Sequence, residues 1–501
     1  MTTPADPLDS RLADSLRVTA LEGAARRGCT HAELRFEQIR SQVVRLRDGN
    51  LETAIDDVEL GIGLRVLHRG SLGFSATVDV SPSATTDLLT RAIEAAEVSA
   101  LAGAHPVELA DEPGHGTIAW ESPHRSDPSQ VPLSTKVSVL REWSERLLAA
   151  PSIDHVTAGI LAVTEDKYYA DLTGTVARQR RVRIHPVIEA LAVNDQGDFE
   201  TLRTLAPPVG RGWEYLEGEG WNWEAELEAL PGLLADKLAA PSVEPGRYDL
   251  VIDPTNLWLT IHESIGHATE LDRALGFEAA YAGTSFATPD QLGTLQYGSP
   301  LLQVTGDRTA THGLASAAID DEGVLAQRFD LVRDGVLVGY QLDRSIAAIA
   351  GLDRSNGCAF ADSPLHIPIQ RMANVSLAAG PEEGPGTDEL LRDVADGIFV
   401  VGDKSWSIDM QRHNFQFTGQ RFFRIHNGEL AGQLRDVAYQ ANTTEFWGSL
   451  DAVGGQSTYL LGGAFNCGKG QPGQVAPVSH GCPSVLVRQV RVLNTKEESG
   501  R

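Results

Sequence analysis

The sequence predicts an α+β protein, with N-terminal α/β subdomains built on antiparallel sheets and a β-rich C-terminal domain after them. Three observations support this. Within the first 239 residues an amphipathic helical stretch leads twice into short alternating runs. Polar turns such as Asp48-Gly49-Asn50 and His68-Arg69-Gly70 separate those runs, the pattern of hairpins. From about residue 240 the character changes to one sharply signalled helix followed by many short β-like runs. A chain of 501 residues exceeds one ordinary core. Residues 1–239 and 240–501 are therefore expected as domains, with 1–103 and 133–239 as candidate related subdomains.

Residues 8–28 read as an amphipathic helix carrying Leu8, Leu12, Leu16, Val18 and Leu21. Short strands are expected at 32–37, 43–47, 60–67 and 72–78, then a helix over 83–101. Residues 104–132, rich in Pro, His, Glu and Ser, read as a surface segment. A helix at 134–149 precedes strands at 156–163, 168–172, 176–184 and 188–193, repeating the earlier order. The basic run Arg178-Gln179-Arg180-Arg181-Val182-Arg183 alternates and reads as the solvated face of a strand. Residues 221–238 read as helical, interrupted at Pro231-Gly232.

A strand at 246–252 then runs into the most informative stretch. Asp253 is a good N-cap, and Pro254 fits the first helical position, where its missing N–H costs nothing. Leu257, Trp258, Ile261, Ile265 and Ala268 give one apolar stripe. Beyond 317 short β-like runs dominate, with a connector at 380–387 and a short helix at 388–396. Residues 454–474 form a Gly-rich stretch, read as a loop, that carries Asn466-Cys467-Gly468-Lys469.

Composition excludes several classes. With 42% hydrophobic and 22% charged residues the chain is globular rather than disordered. A net charge of −26 argues against nucleic acid as a ligand, since phosphate binding needs clustered cations. The first 30 residues hold Asp6, Asp9 and Asp14 and no apolar core of a signal peptide. No run of 18 apolar residues exists, so no membrane span is expected. Four scattered Cys do not make a disulfide framework, and a reducing cytoplasm is the expected setting.

The helix after Asp253 carries His262-Glu263-Ser264-Ile265-Gly266-His267, one residue longer than the usual His-Glu-x-x-His. Two neutral imidazoles can ligate a metal, and the carboxylate beside the first can take a proton from metal-bound water. In a regular helix the two His would lie about 140° apart, against about 40° for the shorter spacing. The extra residue therefore predicts a π-bulge or kink between Glu263 and His267, at Gly266. Candidates for a third ligand are Glu270, Asp272, Cys358, His366, Cys467 and Cys482. Gly463 to Lys469 matches the start of a phosphate-binding loop, but Gly470 stands where Ser or Thr belongs, and Pro472 forbids the helix that should follow. Arg412, His413 and Tyr459 are candidates by chemistry for an oxyanion donor.

The His-Glu-x-x-x-His motif, together with further blocks, resembles the TldD/PmbA family of metallopeptidases. The blocks are Arg354-Ser355-Asn356-Gly357, the segment Pro368 to Asn374, Asn427-Gly428-Glu429-Leu430 with Gly448 to Gly455 downstream, and Asn466-Cys467-Gly468-Lys469. Gly61 to Val66 with Gly73-Phe74 also resembles that family's N-terminal domain. The resemblance implies a zinc peptidase, or one using another divalent transition metal, that acts on small or unfolded peptides. His262, His267 and Cys467 would be ligands and Glu263 the general base. It also implies a dimer, either homodimeric or with a paralogue lacking the motif. Two alternatives accompany this reading: a non-catalytic peptide-binding subunit with a structural metal, and a dipeptidyl peptidase III-like exopeptidase. The latter needs paired glutamates on a helix, and the pairs here are Glu382-Glu383 in a Pro/Gly connector and Glu497-Glu498 at the tail.

Overall fold

A computed structural model of the protein describes residues 8–102 and 106–498. The readings of the first seven residues and of the start of the 104–132 segment lie outside the described residues. The α+β class holds, with mostly antiparallel sheets throughout.

The first sheet has seven strands: two similar series give three each, and the seventh, Thr117–Glu121, comes from the segment read as a surface stretch and pairs parallel with Val176–Val193. Helix Ser10–Arg26, strands His31–Arg47, Asn50–His68 and Ser71–Thr77, and helix Pro82–Leu101 form one series. Helix Leu133–Leu148, strands His155–Asp171, Val176–Val193 and Phe199–Arg203, and helix Trp223–Ala239 form the other. The first strands of the two series pair antiparallel, Glu33 opposite Asp171 and Arg47 opposite Thr157, so one continuous sheet results.

Four long strands stand where the sequence suggested seven of its eight short ones, and the eighth is the short strand Ser71–Thr77. The gap between the expected runs 156–163 and 168–172 holds charged residues that the sheet buries, Glu165 and Lys167. Glu37, Glu165, Lys167, Arg181 and Arg183 are all buried. Lys167 Nζ lies 3.3 Å from Glu37 and 3.2 Å from Glu165, and Arg181 and Arg183 both reach Glu165. This corrects the reading of the Arg178–Arg183 run: alternate members turn inward to carboxylates rather than to water. The helix Trp223–Ala239 is also unbroken, passing through Pro231. A Pro inside a helix removes one backbone bond but need not end it when flanking residues such as Leu227, Leu230 and Leu234 are buried.

Residues after 240 build a second sheet. Strands Asp396–Ile408, Gly246–Ile252, Val485–Asn494, Val437–Asn442 and Asn414–His426 pair in that order, and the last pairs back onto the first, closing a ring. The helix Pro254–Ile261 follows directly from Gly246–Ile252, and Leu257, Ile261 and Ile265 enter the same core as Phe415, Phe417 and Tyr439. A hairpin of Leu460–Lys469 and Gln474–Cys482 lies against this helix. Gly462 permits that approach, because a Cβ there would come within 2.7 Å of the Trp258 side chain. The first sheet docks on the second half through buried ion pairs, Lys167 to Asp321 and Arg65 to Glu322.

Candidate metal centre

Asp253 caps the motif helix by accepting from Thr255 N–H, with Pro254 in the first turn. The helix then widens into a π turn over His262–Gly266, with the His267 N–H reaching the His262 carbonyl. The predicted distortion is therefore present. The widened turn leaves backbone carbonyls in need of donors, and side chains supply them. Tyr297 OH donates to the Ser264 carbonyl, Thr269 Oγ1 to Ile265 and Gln341 Nε2 to Gly266. The Gly266 position is close-packed, since a Cβ there would lie 2.6 Å from Met372 Sδ.

This geometry brings the two imidazoles together, with ring centroids 4.7 Å apart. Cys467 completes a group of three: one ligand atom from each of His262, His267 and Cys467 lies within 4.8 Å of the others, and all three residues are buried. His267 Nε2 stands 3.5 Å from Cys467 Sγ. Donors of a tetrahedral zinc at about 2.0 and 2.3 Å are themselves about 3.5 Å apart, so the spacing fits. Cys467 sits on a strand with an irregular register between Ala464 and Cys467, not in the loop that its glycines suggested.

Hydrogen bonds fix which ring nitrogens face this point. The Val375 carbonyl accepts from His480 Nδ1 at 2.8 Å, which leaves His480 Nε2 to accept from His262 Nδ1 at 2.7 Å. His262 Nε2 is then free as a donor to a metal. His267 Nδ1 donates to Glu270 Oε2 at 2.7 Å, which frees Nε2 in the same way. Burial holds both His262 and His267 below the ordinary imidazole range, in the neutral form that ligates. Burial alone would raise the Cys467 thiol, but a proton on His267 and the Arg371 guanidinium oppose it and hold the thiol below its usual value.

A buried ionic layer lies under Glu270. Lys469 Nζ bonds Glu270 at 3.0 Å and Asp272 at 2.9 Å, and Arg273 bonds Glu278 at 3.1 Å. Lys469 is thus an ion-pair partner on an extended strand, which disposes of the phosphate-loop match. Glu263 receives Arg412 Nη1 at 2.7 Å on Oε2. Arg412 has a left-handed backbone at φ 64° and its carbonyl accepts from Thr443 Oγ1.

The remaining sequence candidates fall elsewhere. Glu270 and Asp272 serve the layer beneath the site. Cys358 is wholly buried, its thiol pushed up to about 12 by burial, and Cys482 Sγ lies 3.6 Å from the Pro254 carbonyl. His366 pairs with Asp362 at 2.7 Å on the surface. Of the oxyanion candidates, Arg412 contacts Glu263, His413 bonds Asn442, and the Tyr459 ring packs against Gly481. Glu382 and Glu383 occupy an exposed turn and not a helix, whereas Glu497 and Glu498, not expected on a helix, end the one-turn helix Thr495–Glu498. His480 was missed, and no spacing could have flagged a partner 218 residues from His262.

Comparisons with known proteins find metallopeptidase domains and relatives over most of the chain. Residues 245–494 match the PmbA/TldA metallopeptidase C-terminal domain, and residues 32–100 match the PmbA/TldA metallopeptidase domain 1. A protein of Methanothermobacter thermautotrophicus named metalloprotease is 30% identical over 476 residues, covering 93% of this chain and 96% of its own length. One from Saccharolobus solfataricus named zinc metalloprotease TldD homolog is 21% identical, covering 93% of this chain and 97% of its own. Among solved structures, TldE from Thermococcus kodakarensis superposes with a TM-score of 0.69 at 15% identity, over 95% of this chain and 99% of that one.

Proposed function

The chain belongs to the PmbA/TldD metallopeptidase family, and from that premise we propose that it hydrolyses small or unfolded peptides at the centre formed by His262, His267 and Cys467. The convergence of two imidazoles and a thiol, with ligand atoms within 4.8 Å, carries this reading. A divalent metal, taken as zinc, would when bound polarise the scissile carbonyl and acidify water. His262 and His267 present Nε2, and Cys467 presents its thiolate. Glu263 takes the proton of the attacking water and passes it to the leaving amine, the two-step duty of a general base and acid. Arg412 holds Glu263 Oε2 and so aims the carboxylate. A thiolate ligand offsets part of the metal's charge, which increases the reliance on Glu263.

A purely structural metal is less well supported. Structural zinc sites close with four protein ligands, whereas three donors converge here among the described residues. His480 is adjacent, but its Nε2 is engaged by His262.

Three further readings belong with this one: a cytoplasmic setting, a dimer with itself or with a paralogue lacking the motif, and the division at 239/240. Native-mass measurement and co-purification test the dimer, and limited proteolysis tests the division. Among the described residues no helix is long and apolar enough to cross a membrane.

The central test compares two variants by metal analysis and peptide cleavage. Glu263→Gln is expected to keep the metal and lose about 10²–10⁴-fold in kcat. Cys467→Ser is expected to lose the metal. Full activity in the first, or full metal occupancy in the second, sinks the role assignment.

A further inference from the structure

A groove of about 390 Å³ is lined by the helix Trp223–Ala239, by Leu202, Arg203 and Leu205 at and just after the strand Phe199–Arg203, and by Arg421 of the strand Asn414–His426, all on elements that supply none of the metal-centre residues. Leu205, Trp221, Leu230 and Leu233 make its walls apolar. Three charged side chains line it, and two are already engaged. Arg203 donates to Asp403 at 2.8 Å. Glu226 accepts from Leu205 N–H on one oxygen and from Trp221 Nε1 at 2.6 Å on the other.

Arg421 is the third. It is partly buried, and among the described residues no hydrogen bond or ion pair reaches its guanidinium. Desolvation lowers its pKa, while Glu226 and Asp253 attract it without contact. A guanidinium that still meets water and has no protein partner can pair with an incoming anion, and its planar fork beside apolar walls matches a carboxylate on an apolar body. A site of this volume lies within the usual range for small ligands.

We propose that this groove binds a monocarboxylate with an apolar tail, its carboxylate paired with Arg421 and its tail lying on Trp221, Leu230 and Leu233. Two sources share that chemistry: the free C-terminus of an apolar peptide and a medium-chain fatty acid. The proposal goes beyond peptide hydrolysis and does not require it.

Calorimetric titration of the full-length protein with octanoate and with N-acetyl-Leu-Phe tests it, with octanamide as the uncharged control. At least one carboxylate is expected to bind, and octanamide at least tenfold more weakly than octanoate if octanoate is the ligand. Binding of octanoate alone assigns a fatty acid, binding of the dipeptide alone a peptide end, and binding of both the shared chemistry. Arg421→Gln removes the charge, and Ala229→Trp fills the groove from the exposed side of the helix. Each is expected to weaken binding at least tenfold, about 1.4 kcal/mol. The two variants also separate the groove from any carboxylate that binds at the metal centre. No binding by either carboxylate, octanamide binding as tightly as an octanoate that itself binds, or wild-type affinity in either variant overturns the proposal.

Discussion

Replacing His480 with Phe removes the acceptor for the His262 Nδ1–H while keeping a ring to stack on Trp258, whose centroid lies 6.2 Å away. His262 then has a buried donor without a partner and a less fixed tautomer. Metal affinity is expected to fall about 10–100-fold, the usual cost of losing a partner of a ligating His. Competition with a chromogenic chelator reads this directly, and excess metal should restore cleavage. Unchanged affinity would remove His480 from the account. At this scale the sequence revealed what lies close along the chain. His262, Glu263 and His267 stood out because the helix joins them. Cys467 was one of six candidates by chemistry, and only the family likeness picked it out, since a thiol 200 residues from His267 has no spacing signal. The acceptors His480 and Glu270 were not legible as such, because hydrogen-bond partners follow from tertiary packing.

The motif helix makes the element-scale case. Its π turn is packed so closely at Gly266 that a methyl group would press on Met372. Gly266→Ala is expected to cost about 1–3 kcal/mol of stability, the typical penalty for overpacking. Denaturant unfolding of Gly266→Ala, Met372→Ala and the double variant checks the cause. The double variant should cost less than the sum of the singles, and strict additivity would place the strain elsewhere. The widened turn was legible because six residues of the motif cannot put both His on one face of a regular helix. The long strands of the first sheet were not. Hydrophobic alternation fails at Glu165 and Lys167, which look like turn residues until their partners across the sheet are known. Pro231 misled for the opposite reason: a local helix-breaking rule yielded to burial on both sides of it.

At the scale of the whole molecule, the first sheet and the catalytic half meet through buried charges, and these make the joint sensitive to acid. Burial alone would raise Glu33, but Arg65 and His31 outweigh it and hold the carboxyl at about 2, while Arg65 also binds Glu322 across the joint. A carboxyl lowered in this way contributes stability that is present above its unfolded value near 4.5 and is lost as the pH falls toward 2. The melting temperature of wild type should therefore exceed that of Glu33→Gln at pH 7, with the gap narrowing below about pH 4.5. A gap that is constant with pH would contradict the ion pair's role. The closed ring of strands and the joining of two series into one sheet were beyond the sequence, because both depend on pairings between distant segments. Cys467 and Lys469 sit two residues apart on the same buried side of one hairpin strand, facing the motif helix and the layer beneath it. On the proposed ligand set, loading with metal becomes a proofreading step for assembly. A chain whose last hairpin is shifted by one residue withdraws thiolate and ammonium together, so a misassembled protease would also be a disarmed one.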